Sequence, residues 1–178
     1  MTRRSTVVVL CEDKQQEVFF YRLLRRMGYA RTQITILPYP HGRSDAKAYV
    51  RATYARQVAA QRNPKAASDL VTVADADADD TEALRRILDG LLAQHRQADE
   101  RIAVFIPKWC IETWVAYLTG DRAITEETPY PPRLRGHESD CAPAVVEYHR
   151  MATERRDTGG RLPSLDASFA EYARLRQP

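Results

Sequence analysis

The chain predicts an α/β fold, a three-layer Rossmann-like arrangement around a mainly parallel sheet, and three observations lead there. Four short apolar runs alternate with segments of helical period through the first two thirds of the 178 residues. The runs are almost continuously apolar, the pattern of strands buried on both faces, where a half-exposed antiparallel strand would alternate. Each ends at a proline or an acid and is followed by a connection long enough for a helical crossover.

The first strand is expected over 6–11, around Val7-Val8-Val9-Leu10-Cys11. A helix over 14–28 follows, with Phe20, Leu23, Leu24 and Met27 at helical spacing and Gly28 as a left-handed cap. The second strand, Ile34-Thr35-Ile36-Leu37, stops at Pro38. Pro40-His41-Gly42-Arg43-Ser44 then reads as a turn, and Ser44 or Asp45 as the cap of a helix whose Ala46, Val50, Tyr54 and Val58 recur every four residues up to Asn63-Pro64. The third strand, 70–74, leads to a helix over 81–96 with Leu84, Ile87, Leu88, Leu91 and Leu92 on its buried face. The fourth strand, 102–106, passes through Pro107 into a helix over 109–119 closed by Gly120. Such βα units imply right-handed crossovers.

Residues 1–120 therefore read as the α/β domain and 121–178 as a Pro-rich connector with a helical appendage packed on it. The connector is Thr128-Pro129-Tyr130-Pro131-Pro132. Two helices are expected, over 142–156 and 166–176, separated by Asp157-Thr158-Gly159-Gly160, and they either pack on the sheet or line a substrate channel.

Composition narrows the function classes. An apolar fraction of 44% with 29% charged residues is that of a globular protein and excludes disordered and fibrous classes. No apolar stretch approaches the roughly 20 residues that cross a bilayer. Met1-Thr2-Arg3-Arg4 leads straight into a strand instead of a signal-peptide core, so a cytoplasmic protein with no membrane partner is expected. Cys11, Cys110 and Cys141 form neither a disulfide framework nor a zinc pattern. The four histidines make no HxH or HExxH, and neither GxSxG nor GxxxxGKS occurs.

Charge is unevenly spread. Lys14–Lys65 holds eleven Lys or Arg against two acids, and Asp69–Glu100 nine acids against three Arg. That asymmetry suits a site holding a cation beside a polyanion, and equally suits two solvated helix faces of opposite bias. The acids are the sharper signal. Glu12 follows the first strand, Asp75 and Asp77 the third, and Glu112 the fourth, and residues just past strand C-termini gather along one sheet edge. Mg²⁺ or Mn²⁺ takes few carboxylates plus waters and phosphate oxygens, so this sparse set points to phosphodiester or phosphoryl chemistry. In an extended segment Asp75 and Asp77 would face the same ion. Asp79 and Asp80 continue the run, with Asp80 or Thr81 explained as a helix cap. Glu112 gains from the helix dipole, and Lys108 stands beside it to offset transition-state charge. Trp109 and Trp114 read as core packing. Arg43, Lys47 and Arg51, four apart, form a stripe suited to nucleic-acid phosphates or to solvent.

Val7-Val8-Val9-Leu10-Cys11-Glu12, an amphipathic helix, and then Val71-Thr72-Val73-Ala74-Asp75-Ala76-Asp77 together resemble the TOPRIM domain of topoisomerases, bacterial primases, small RNA-maturing nucleases and the OLD nucleases. Ile106-Pro107-Lys108-Trp109-Cys110-Ile111-Glu112-Thr113-Trp114 further resembles a helix of small TOPRIM-like proteins associated with phage defence, including the RloB-like group. The resemblance spans residues 5–120 and implies that Glu12, Asp75 and Asp77 bind Mg²⁺ in a nuclease acting on DNA or RNA, with an ATPase or other defence subunit as a partner and oligomerisation open. Two positions depart from the family: Asp13 replaces the glycine after the first Glu, and Gln16 stands where an acid is usual. They favour one alternative, a catalytically silent or partner-activated subunit binding nucleic acid or protein. The other is a small-molecule phosphotransferase or phosphatase, which would need a closed pocket.

Overall fold

A computed structural model describes residues 6–40, 43–63, 68–129 and 137–176. The elements run β1 (Thr6–Leu10), α1 (Lys14–Arg26), β2 (Ile34–Ile36), α2 (Arg43–Gln61), β3 (Ser68–Val73), α3 (Thr81–Gly90), β4 (Ile102–Phe105), α4 (Ile111–Leu118), α5 (Ala142–Glu154) and α6 (Pro163–Leu175). The four strands form one all-parallel sheet in the order β2-β1-β3-β4. From β1 the chain goes outward to β2, then returns across β1 to β3, so the order reverses between β1 and β3. In open α/β sheets ligands bind in the crevice beyond that reversal, at the strand C-termini.

Each side of the sheet has its own core. On one, Val7, Val9, Val71, Val73 and Phe105 pack against α1, α4, α5 and α6. On the other, Leu10, Leu70, Val104 and Ile106 meet Val50, Tyr54 and Val58 of α2 and Leu84 and Leu88 of α3. The first core is aromatic at its centre: Phe20 against Phe105 at 4.7 Å between rings, and Trp114 stacked on Tyr148 at 6.1 Å. Trp114 is fully buried with its indole N–H donating to Ser164 Oγ, which bears out the packing reading for this tryptophan. Gly28 and Gly120 end α1 and α4 with φ of 93° and 118°, the left-handed conformation for which glycine was expected there.

Several boundaries differ from expectation. α3 stops at Gly90, six residues early, and Ile87 and Leu91 are 46% and 43% exposed, so only Leu84 and Leu88 form its buried seam. Glycine weakens a helix end, and Arg96 leaves the helical path to reach a buried partner described below. α2 already begins at Arg43, which puts Ser44 and Asp45 inside its first turn instead of at the cap. The fourth strand stops at Phe105, α4 starts at Ile111, and α6 starts at Pro163. His41 and Gly42 of the expected turn, and Tyr130, Pro131 and Pro132 of the connector, lie outside the described residues.

α6 is seated along the open edge of β4. Glu171 accepts from the Val104 amide at 2.9 Å, Arg96 donates to the Ile102 carbonyl at 3.1 Å, and Ser164 Oγ accepts from the Lys108 amide at 3.0 Å. These side chains supply the hydrogen bonds a fifth strand would have made, and so cover an edge that would otherwise template aggregation. Among the described residues no helix is long and apolar enough to cross a membrane.

Candidate active site

β1 and β3 deliver Glu12 and Asp75 to the crevice where the strand order reverses. Both are buried, 9% and 6% exposed, at positions where a carboxylate loses most of its hydration. Burial above all pushes the Glu12 pKa up to about 8; the Lys47 charge opposes it most, Asp13 and Asp77 add repulsion, and the Asp75 amide pulls slightly the other way. Asp75 lies well above the usual carboxylate range, because of burial and then the charges of Asp13, Glu12 and Glu112, with the Gln16 amide opposing. Its Oδ1 is buried without a hydrogen-bond partner among the described residues. An orphaned carboxylate oxygen of this kind is costly unless something outside the chain satisfies it.

The loop after β3 does not stay extended. Asp77 adopts φ 49°, in the left-handed region, so its side chain does not share Asp75's direction; it is 57% exposed and ion-paired with Lys47. Opposite it, Trp109 has φ 65°, and the two residues exchange both backbone hydrogen bonds, at 3.2 and 3.3 Å. Two non-glycine residues in that conformation, clamped across the mouth of a crevice, are a local strain of the kind that collects at functional sites. Lys108 reinforces the clamp: its ammonium donates to the carbonyls of Ala78 and Asp79 at 3.0 and 2.6 Å and lies 4.7 Å from the Trp109 ring.

Glu112, in the first turn of α4, is buried and close enough to Asp75 to raise its pKa. It also accepts from the Cys110 thiol, whose pKa burial, chiefly, pushes up to about 12, so Cys110 stays a neutral donor. Lys47 and Arg51 of α2 line a narrow recess with Glu12 and Asp75, so the carboxylates and two of the three predicted phosphate contacts come together. The side chain of Arg43 lies outside the described residues. Asp80 caps α3 by accepting from the Ala83 amide at 2.8 Å, as expected.

Two residues at this site were not singled out as functional from the sequence. Asp13 caps α1 by accepting from the Gln16 amide at 2.8 Å and adds its charge to the cluster. Gln16, fully buried, accepts from the Glu12 amide at 2.8 Å and so fixes the strand-to-helix turn that carries Glu12. The signal was present: Asp13-x-x-Gln16 is a capping-box pattern, displaced here by one residue because the glutamine takes the Glu12 amide instead of the Asp13 amide.

The donor set fits a divalent cation of the Mg²⁺ type in part. Two buried oxygen-bearing side chains short of counter-charge are what such an ion uses when waters and substrate fill the other positions. Among the described residues no three His, Cys, Asp or Glu side chains converge tightly enough to enclose an ion by themselves. Comparison with protein-family models, curated proteins and solved structures returned no match, so the reading of the site rests on its own geometry.

Proposed function

We propose that the chain is a divalent-metal-dependent nuclease, hydrolysing phosphodiester bonds at the crevice between β1 and β3. What carries the reading is the pair Glu12 and Asp75, two buried carboxylates at the switch point of a parallel sheet, one with an oxygen that has no hydrogen-bond partner among the described residues. Mg²⁺ or Mn²⁺ bound by them would supply Lewis acidity and a lowered water pKa. The chain's own residues do the rest. Gln16 holds the turn of Glu12; Asp77, through Lys47, sets the charge at the mouth; Lys47 and Arg51 receive phosphate oxygens and position the backbone without reading bases. Lys108 is a positioning residue, since its ammonium is spent on the carbonyls of the loop that carries Asp77. The likeness to OLD-type TOPRIM proteins brings an ATPase partner and a phage-defence setting within the same proposal.

A second reading has an observation of its own. Gln16 stands where a further acid would complete the set, and Lys47 already occupies Asp77, which suits a subunit that binds nucleic acid without cutting it.

The test is cleavage of labelled single- and double-stranded DNA, ribosomal RNA and transfer RNA with Mg²⁺, Mn²⁺ or EDTA. Wild type should cut only with metal, and Asp75→Asn or Glu12→Gln should lower the rate by about 10²-fold or more, the scale for losing one charge-stabilising group. Folded protein that cuts none of these in any metal overturns the nuclease and leaves the silent subunit.

A further inference from the structure

Away from the crevice, a groove of about 480 Å³ runs between α1 and α5. Its wall on α1 is a stripe of Tyr21, Arg22, Arg25 and Arg26, and its floor is Val18 with Val145 and Val146 of α5. Among the described residues neither Arg22 nor Arg26 has a carboxylate partner, in contrast to Arg62, Arg96, Arg101 and Arg150, which all do. The groove's acid, Glu17, is already taken by Lys14 at 2.6 Å and the Tyr39 hydroxyl at 2.9 Å. One more helix, α6, adds positive charge at the far end through Arg176, and the neighbouring His149 is held toward its neutral form. His149 of α5 sits below its ordinary pKa through burial and then through the charges of Arg26 and of Arg176, the residue that caps α6.

Complementing the α1 dipole would account for Arg25 and Arg26 in its last turn, but not for Arg22, nor for Val146 left 45% exposed beside them. Arg25 donates to the Tyr29 carbonyl at 3.0 Å. An apolar floor beside it and beside two guanidinium groups that have no carboxylate partner among the described residues fits a ligand that is anionic along one side and flat and apolar on the other.

We infer that this groove binds a single strand of nucleic acid, with Arg22, Arg25 and Arg26 on consecutive phosphates and Tyr21 and the valines beneath the bases. Arg22 and Arg26 lie one turn apart, about 6 Å along the helix axis, and so present their guanidinium groups on the same side of α1. Aromatic and apolar surface under unstacked bases is the usual way a strand is held without sequence reading. A duplex would keep its bases stacked and offer this floor nothing. The groove starts at Glu17 in the first turn of α1, and that helix begins at the Asp13 cap beside Glu12. The inference deepens the nuclease reading by giving its substrate a path, and rests on it only for that continuity; binding is measured without metal.

The experiment is fluorescence anisotropy of a labelled 12-nucleotide pyrimidine strand with the full chain in EDTA, across a salt series. Wild type should bind the strand more tightly than a duplex of equal length. Arg22→Glu/Arg26→Glu should weaken binding at least 10-fold and flatten the log K against log salt slope by about 1.4, two phosphate contacts at about 0.7 each. Arg22→Lys/Arg26→Lys should keep the slope. Should the charge reversal melt early, photocrosslinking of a bromouridine strand to the wild type replaces it, with the adduct expected on the α1 peptide carrying Tyr21. Unchanged affinity in a folded reversal variant, preference for duplex, an adduct elsewhere, or capture of an acidic peptide in place of the strand each overturns the groove. Strand binding lost on reversal by a protein that never cuts upholds the groove and overturns the nuclease; metal-dependent cutting with undiminished binding does the opposite.

Discussion

Glu12 and Asp75 are ionisable groups that the fold penalises for being charged, and this has a consequence that can be measured. A carboxyl whose pKa is raised in the folded state binds its proton more tightly there than when unfolded, so stability is highest at low pH and falls once the unfolded group ionises. For Glu12 the window runs from its ordinary 4.5 to about 8, and Asp75 acts in the same direction. Each proton so held costs about 1.4 kcal/mol of stability per pH unit across that window. Thermal melts in EDTA should therefore show a lower Tm at pH 8 than at pH 5.5. Glu12→Gln should flatten the profile, and millimolar Mn²⁺ should restore Tm most at the alkaline end, where the metal displaces the fewest protons. A profile that is flat in EDTA, or that Mn²⁺ shifts equally at every pH, would remove the case for a buried carboxylate pair awaiting a cation. At this scale the sequence was partly legible. The positions of Glu12 and Asp75 followed from where apolar runs stop, because burial of a parallel strand writes itself into composition. The separation of Asp77 from Asp75 did not, since it depends on a left-handed turn held by Trp109, thirty-two residues away, and nothing local to Ala76-Asp77-Ala78 announces it.

The β4 edge shows how much an element owes to residues that sequence pattern treats as surface charge. Glu171 is 6% exposed and joins Arg85 and Arg96 at 2.8 Å each while accepting from the Val104 amide. Arg96 is equally buried, with Asp89 at 3.2 Å and the Ile102 carbonyl as its other partners. Removing one member of a buried pair strands the other charge, so Glu171→Ala should destabilise the protein by about 3–5 kcal/mol. At this chain length that lowers Tm by about 2–4 °C per kcal/mol. Arg150→Ala, which opens only the exposed pairs with Glu147 and Glu154, should leave the melting transition almost unchanged. Denaturant melts of the two variants check the contrast, and equal losses would mean that the Glu171 cluster is no better than a surface bridge. This cluster also explains why α3 misled the sequence reading: Leu91 and Leu92 extend a helical period, but the segment must bend away so that Arg96 can enter the core. Alternating βα units and apolar strands are local patterns and were read correctly; a side chain substituting for a missing strand is a long-range event with no local period.

Across the whole molecule, α6 ties the site end of the sheet to its base. Its first turn holds Ser164, which serves the Lys108 amide, the Trp114 indole and Glu126; its middle holds Glu171 on the β4 edge; its last carbonyl, at Leu175, accepts from Arg101. Arg101 in turn pairs with Asp69 at 2.8 Å and donates to the Tyr29 hydroxyl, which donates to Asp69, so the strand N-termini are cross-linked there. The helix is about 20 Å long, and so covers the β4 edge from the crevice to that triad. Read from sequence, residues 121–178 were an appendage because their charges balance and their apolar runs are short. In space, Leu162, Leu165, Tyr172 and Leu175 belong to the same core as Phe20 and Phe105. Deleting 157–178 should therefore cost more than a helix. It should expose the β4 edge, take Glu171 from Arg96 and the Leu175 carbonyl from Arg101, and unseat Trp114, leaving protein that melts without a cooperative transition and exposes apolar surface to dye. A truncated chain that still unfolds in one sharp transition, with wild-type near-ultraviolet circular dichroism from Trp114, would show that β1 to α5 fold alone and that α6 merely covers them.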